Sequence, residues 1–455
     1  MKYNGRQVIK SNVDEITREN IKSVLTDAIS LHNENSKDIQ YLYSYYTGIQ
    51  PILMREKTIN RHINNKIVEN RAYEIVNFKV SYLCGEPIQY TARKSDKSES
   101  VMELNEMLSV EFKQANDKNI VFWQMICGTA YRMTLPDKRE EADETPFEMY
   151  VIDPTDSFII YKNDYTQKQL AGVYITQDQD KNNIYNVYTN TKFYKVDYLF
   201  NVVDERDNTL GLIPIVEYPA NETRMGAFEP VLYLLDAKNN IESNRVDGIE
   251  QFIQSIIVAL NCDFEEGVTA DEIKKAGMIV LKTIGDNKPD FKILSEQLNQ
   301  EQTQILCDYV DFMIDKIVGM PSTGDGKTSD SSNNGAVILK NGWQGAEARA
   351  KDTEIMFKKS EQQTLKILLR ILHSFGMLLD LSIFDIDYKF TRRCYEDINS
   401  KANVLNLLLN NEKVDPKDAY NVSGLFPDNE TAYQNGLKWY EGQLKLEEKE
   451  NVDKE

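Results

Sequence analysis

The sequence predicts an α+β protein, predominantly helical, and three observations carry that prediction. Long runs repeat apolar side chains every three or four residues, one block between about 147 and 218 switches to a period of two, and Gly, Pro, Asp and Asn punctuate the joins. The chain of 455 residues has room for two or three domains with a sizeable core.

Residues 14 to 47 read as a helix on the spacing of Ile16, Ile21, Val24, Leu25, Ile29 and Ile39, and Gly48 and Pro51 end its Tyr-rich last turns. Residues 66 to 84 repeat that pattern and stop at Gly85, with Pro87 beyond it. A further helix spans "ESVMELNEMLSVEFKQAN", and "NIVFWQMICGTAYRMTL" leads into the β-rich block. There "FEMYVIDPTDSFIIY", "LAGVYITQD", "NIYNVYTNTKFYKVDYLF" and "LIPIVEY" alternate β-branched and aromatic residues, as one antiparallel sheet or a small sandwich would. From Glu229 and Pro230 to residue 261 the pattern is helical again, predicting a helix of roughly 45 Å. A second helix covers 301 to 319, with Ile305, Leu306, Tyr309, Phe312, Met313 and Ile317 on one side. Between the two, a small helix precedes strands "GMIVLKTI" and "FKILS" across an Asp-Asn-Lys-Pro-Asp turn. Residues 336 to 380 form another long helical run, with Gly342 and Gly345 around Trp343 as the place for a kink. "IFDIDYKFTR" alternates as one more strand, and short helices lead to a charged tail.

Composition narrows the chemistry. Cys84, Cys127, Cys262, Cys307 and Cys394 are scattered with no Cys-x-x-Cys pair, and His32, His62 and His373 show no metal-ligand spacing. Neither a zinc site, a disulfide framework nor any cofactor is expected. The formal net charge of −19 opposes tight nucleic-acid binding, yet suits a surface past which DNA slides. The first residues lack the apolar core of a signal peptide, and no stretch reaches the ~18 apolar residues of a membrane span, so a cytoplasmic protein with no membrane partner is expected.

One stretch, "GMPSTGDGKTSDSSNNGAVILK", contains Gly-Lys-Thr and invites a nucleotide-binding reading. A phosphate-cradling loop needs Gly-x-x-x-x-Gly-Lys-[Ser/Thr] between a strand and a helix. The first required glycine is Pro321, the preceding segment is helical, and "SDSSNNG" follows where a helix should begin. The motif fails. What remains is a long polar loop joining two helices, with Lys327 as its one basic residue before Lys340 and short hydrogen-bonding side chains around it. A nucleotide-using enzyme built on that loop stays the alternative reading, but neither a Gly-x-Ser-x-Gly motif nor a metal triad supports it.

The order helix, small module, helix, polar loop, long kinked helix resembles the siphophage-type portal (head-to-tail connector) proteins. The resemblance rests on "YYTGIQPILMREKTINRHINNKIVENRAYEIVNFKVSYLCGEPIQY", on "GLIPIVEYPANETRMGAFEPVLYLLDAKNNIESNRVDGIEQF" and on "NNGAVILK", over about residues 40 to 395. It implies a portal-like fold. Residues 1–228 and 336–394 would form the α/β wing, 229–261 and 301–319 the stem helices, 262–300 the small α/β clip, 320–335 the tunnel loop, and 395–455 a helical crown and tail. It also implies a homo-oligomeric ring, commonly a dodecamer, at the capsid vertex of the virion, assembled in the host bacterial cytoplasm. Such a ring passes double-stranded DNA without sequence specificity during packaging and ejection. Its partners would be terminase, head-completion (adaptor), scaffold and major capsid proteins, and it would not be an enzyme. Another capsid or tail structural protein is the remaining alternative.

Within that resemblance, Lys327, Thr328, Ser329, Asn333 and Asn334 would face the DNA channel. Ile249, Phe252, Ile253, Ile256, Ile257, Phe312 and Met313 would form the oligomer interface of the stem. Lys238, Arg245 and Lys316 would pair with acids such as Asp236, Glu242, Asp247 and Asp315 between subunits.

Overall fold

Ile21, Val24, Leu25, Ala28 and Ile29 recur on one face of helix α1 (Ile21–Tyr46), and all five are buried. They lie in the computed structural model, which describes residues 5–58, 61–137, 145–253, 256–260, 262–263, 282–283, 290–294, 300–321, 343–377, 379–392, 398–426 and 429–452. The α1 face packs on a six-stranded sheet whose inward side chains include Phe158, Ile160, Val173, Tyr185, Val187 and Val196. Removing each such aliphatic side chain from water contributes about 1.5–3 kcal/mol.

That sheet has the order β1 (Lys10–Ser11), β5 (Ser157–Lys162), β6 (Gln169–Gln177), β7 (Asn183–Tyr188), β8 (Lys192–Val196), β9 (Val202–Asp207). Its pairs are antiparallel apart from the parallel β1–β5 contact. A second sheet, with β3 (Thr129–Pro136) between β10 (Ile215–Pro219) and β4 (Phe147–Ile152), completes the β-rich block. The two sheets meet at Gly172, where an added Cβ would lie 2.9 Å from both Ile213 Cγ2 and Ile215 Cβ. Of the two expectations, one antiparallel sheet or a small sandwich, the block forms two sheets. A short pair, β2 (Gln89–Ala92) with β15 (Ile386–Lys389), contains the strand expected within "IFDIDYKFTR".

The helices begin and end where local chemistry directs. Helix α2 (Arg71–Cys84) starts later than the predicted residue 66, because Asn70 caps it by accepting from the Tyr73 N–H at 3.3 Å. The run expected to be one helix over 99–116 is two, α3 (Ser98–Val110) and α4 (Lys113–Cys127), parted at Phe112 with φ +51°. A left-handed non-glycine residue cannot continue a right-handed helix. The long helix α7 (Trp343–Ser374) has Trp343 as its first described residue. Gly342, half of the expected kink, lies outside the described residues.

Charged residues from three elements meet in the interior. Glu361 of α7 accepts from Arg132 of β3 at 2.9 Å and from the hydroxyls of Tyr90 and Tyr218 at 2.6 Å each, and Lys113 of α4 lies 3.0 Å away. Asp117 binds both Lys113 and Arg132. Burial alone would raise the Glu361 carboxyl, but Lys113 and Arg132 overcome it and hold Glu361 well below the usual carboxylate range. Two cations answer two anions, so nothing charged is left alone in the core.

The chain divides into two units. The first comprises residues 1–48, 70–232 and 314–455, and so contains all the elements above together with α8 (Ile398–Leu409), α9 (Pro416–Ser423) and α10 (Asn429–Val452). The second comprises residues 49–69 and 233–313. Residues 49–69 thus group with the paired helices and not with the wing assigned from sequence. In the second unit, α5 (Leu232–Ile253) ends eight residues before the predicted position 261. Ile256 and Ile257 belong instead to strand β11 (Ile256–Leu260), paired antiparallel with β14 (Asp290–Leu294). The run Ile-Ile-Val is β-branched and so short that helical and strand periods fit it equally. Strand β12 (Cys262–Asp263) pairs with β13 (Lys282–Thr283), so the expected hairpin between "GMIVLKTI" and "FKILS" is replaced by partners from the 256–263 segment. Residues 277–281 of that expected strand lie outside the described residues.

Candidate assembly surface

Asn239, Ser243 and Asp247 stand four residues apart on α5, so they share one face, and all three are buried. Alternate backbone N–H groups of residues 65–69 reach them. The Asn65 N–H donates to Asp247 Oδ1 at 2.7 Å, Ile67 to Ser243 Oγ at 3.0 Å and Glu69 to Asn239 Oδ1 at 2.9 Å. Two residues of extended chain span about 6.6 Å and four helical residues about 6 Å, so the two periods stay in step over three rungs. Arg55, at 3.0 Å, and Lys57 close on the free oxygen of Asp247. Burial works against its charge, but the Lys57 contact and the two Asn65 donors keep Asp247 below its ordinary range.

Helix α6 (Gln300–Val318) joins this frame through Lys238, which is buried on α5 and bonds both Glu69 at 2.9 Å and Asp311. Arg245 pairs with Glu242 on its own helix at 3.1 Å. Asp247 is used by Arg55 and Lys57, and Asp315 by Arg71 at 2.6 Å. The pairing expected between subunits for Lys238 and Arg245 is therefore replaced by partners within the chain. Cations from residues 55–71, distant in sequence, reach Asp247 and Asp315 first.

Beside these polar contacts, the second unit leaves apolar side chains in water. Ile249 is 48% exposed and Phe312 50% exposed. Tyr233 and Val246 on α5, and Ile305, Leu306 and Tyr309 on α6, are exposed with them. Met313 is only partly covered. Positions 305, 309 and 312 fall on one face of α6, while Cys307, Val310, Ile314 and Val318 are buried on another. Phe252 and Ile253 occupy the last turn of α5, and Ile256 and Ile257 lie in β11, so these four do not extend a single helical stripe.

The last turn of α6 leads toward the polar loop. Gly319 adopts φ +71° and the Met320 N–H bonds the Asp315 carbonyl at 2.9 Å, a left-handed helix ending. Lys79 Nζ donates to the Val318 carbonyl at 2.7 Å and Arg349 Nη1 to that of Ile317 at 2.5 Å, two cations at the negative end of the helix dipole. Burial, with Arg349 nearby, lowers Lys79 to about 8. The channel residues Lys327, Thr328, Ser329, Asn333 and Asn334 lie outside the described residues. The Asn239–Ser243–Asp247 ladder went unread in the sequence. Its signal was three short polar residues at four-residue spacing within an otherwise helical segment.

Among the described residues no group of His, Cys, Asp or Glu is placed to hold a metal ion, and no helix is long and apolar enough to cross a membrane. A family profile described as "Phage portal protein, SPP1 Gp6-like" matches residues 27–452. The portal protein of Bacillus phage SPP1 is 24% identical over 253 residues, which cover 49% of this chain and 46% of that protein. The chain thus spans about half the length of this curated relative. Among solved structures, a chain of one described as "Neck of empty GTA particle computed with C6 symmetry" aligns at 10% identity with a TM-score of 0.43, covering 78% of this chain and 90% of the other.

Proposed function

We propose, because the chain belongs to the SPP1 Gp6-like family of phage portal proteins, that it assembles into a ring at the capsid vertex and serves as the conduit for double-stranded DNA. The observation that supports this most directly is the exposed apolar face formed by Ile249, Ile305, Leu306, Tyr309 and Phe312. A soluble monomer rarely leaves several large apolar side chains of one helix face in water, as Ile305, Tyr309 and Phe312 are, whereas a neighbouring subunit covers them. In this reading α5 and α6 are the stem, the β11–β14 region is the clip, and the loop after Pro321 lines the channel with Lys327, Thr328, Ser329, Asn333 and Asn334. The acidic balance of the chain lets DNA pass without adhering, since affinity for a duplex grows with the phosphates neutralised. The ring carries no catalysis of its own. Terminase docks on it during packaging and head-completion proteins afterwards, with scaffold and major capsid protein around it.

The native mass of the purified chain, with negative-stain images of the same sample, tests the ring. Particles of about twelve subunits with a central channel are the expected result. Ile249→Asp and Phe312→Asp place a charge in the covered face and are expected to leave small species that still melt cooperatively. Rings formed normally by both variants would place the interface elsewhere. Lys327→Ala is expected to assemble normally and to alter DNA packaging or retention, and failure to assemble would make the loop an interface element instead.

A further inference from the structure

We infer that one side of the first unit carries a basic cleft that receives the acidic face of α3 from a neighbouring copy of this chain, a head-to-tail contact distinct from the apolar face of α5 and α6. The inference rests on the ring reading above and adds a second contact to it.

The cleft has a volume of about 930 Å³ and runs between β1, the start of β6 and α7. Lys10 of β1, Lys168 just before β6, and Lys359 and Lys366 of α7 line it, and all four are exposed. Lys359 and Lys366 are seven residues apart, two helical turns, and so point from the same face. No ion pair is formed by any of these four among the described residues. The fifth cation, Arg224, is held at 2.6 Å by Glu217, and the one other carboxylate of the lining is Glu222. Five basic side chains thus surround a cleft with two acids, in a chain whose net charge is −19. Four unanswered like charges around one concavity make a field that attracts an acidic surface.

Such a surface exists on the same chain. Glu99, Glu103 and Glu106 of α3 are exposed at positions i, i+4 and i+7 of one helical face, and among the described residues none has a basic partner. Met102 and Val110 are exposed on the same short helix. No residue of α3 lines the cleft, so the two surfaces are separate on one chain and meet only between two copies. A contact that joins two different patches of identical subunits propagates head to tail, and closes into a ring when the rotation permits.

The test is a charge swap read by mass photometry across a dilution series at low salt. Lys359→Glu with Lys366→Glu is expected to raise the concentration at which the oligomer falls apart by tenfold or more, as is Glu99→Lys with Glu103→Lys. Combining all four substitutions restores opposite charges and is expected to return that concentration to within about threefold of the unaltered chain. A thermal melt of each variant checks its fold. If the α7 pair disturbs it, Lys10→Glu with Lys168→Glu replaces that pair. Unchanged assembly in the cleft variants overturns the contact while leaving the ring intact. Weakening without rescue overturns α3 as the occupant. An unaltered chain that stays monomeric overturns the ring itself and this contact with it.

Discussion

Glu361 shows why a buried charge is tolerable only in company. Its two oxygens receive Arg132, Tyr90 and Tyr218, with Lys113 alongside, and it is itself fully enclosed. Glu361→Gln removes one of the two anions and leaves Lys113 and Arg132 to share Asp117, so it is expected to cost about 3–5 kcal/mol by denaturant titration. His32 is the second informative residue. It is buried against Phe158 at 4.5 Å and its Nε2–H donates to the Thr155 carbonyl at 2.7 Å. Burial outweighs that bond and lowers its pKa from 6.5. The unfolded chain therefore binds the extra proton first, so stability is intact above about pH 7 and falls as pH drops below 6.5. His32→Gln is expected to flatten this part of the profile, read as melting temperatures at pH values on either side of 6.5. Neither residue announces its burial in sequence, because a lone His or Glu on a helix reads equally well as surface.

At the scale of elements, the ladder between α5 and residues 65–69 holds the second unit together by matching two periods. Asp247→Ala removes the acceptor for Arg55, Lys57 and Asn65 at once. It is expected to destabilise that unit by about 3 kcal/mol and to speed amide exchange at Asn65. Ser243→Ala, which loses the bond from the Ile67 N–H and the one donated to the Asn239 carbonyl, both neutral, is expected to cost about 1–2 kcal/mol. The ending of α6 depends on Gly319 in a left-handed conformation with Arg349 across it, where an added Cβ would lie 2.3 Å from Arg349 Cδ. Gly319→Ala is expected to cost about 1–2 kcal/mol and to fray the last turn of α6. Helix α6 was legible from its period to within a residue at each end, as were the C-terminal ends of α1 and α2, whose starts, Ile21 and Arg71, lie later than the predicted residues 14 and 66. The end of α5 was not, because Ile256 and Ile257 continue its apolar spacing by coincidence while their β-branching suits the pairing with β14.

For the whole molecule, amino-acid order alone determined the mixed α+β class, the alternation of helical and β-rich blocks, the failure of the Gly-Lys-Thr motif and the family. These are local or cumulative properties: a period, a missing glycine, a sequence of motifs in order. Ile249 and Phe312 are exposed apolar side chains on their helices, and the proposal that a neighbouring subunit covers them belongs to this scale. Which charges meet was decided only by tertiary structure. Lys238 and Asp247 were expected in pairs between subunits, yet each finds partners within the chain supplied by residues 55–69 or by Asp311, far away in the sequence. The grouping of residues 49–69 with α5 was hidden for the same reason, and so was the choice between one sheet and two. A side chain's period reveals that it faces something, but the identity of that partner depends on which distant segments the fold brings within about 3 Å, the range at which hydrogen bonds and ion pairs act.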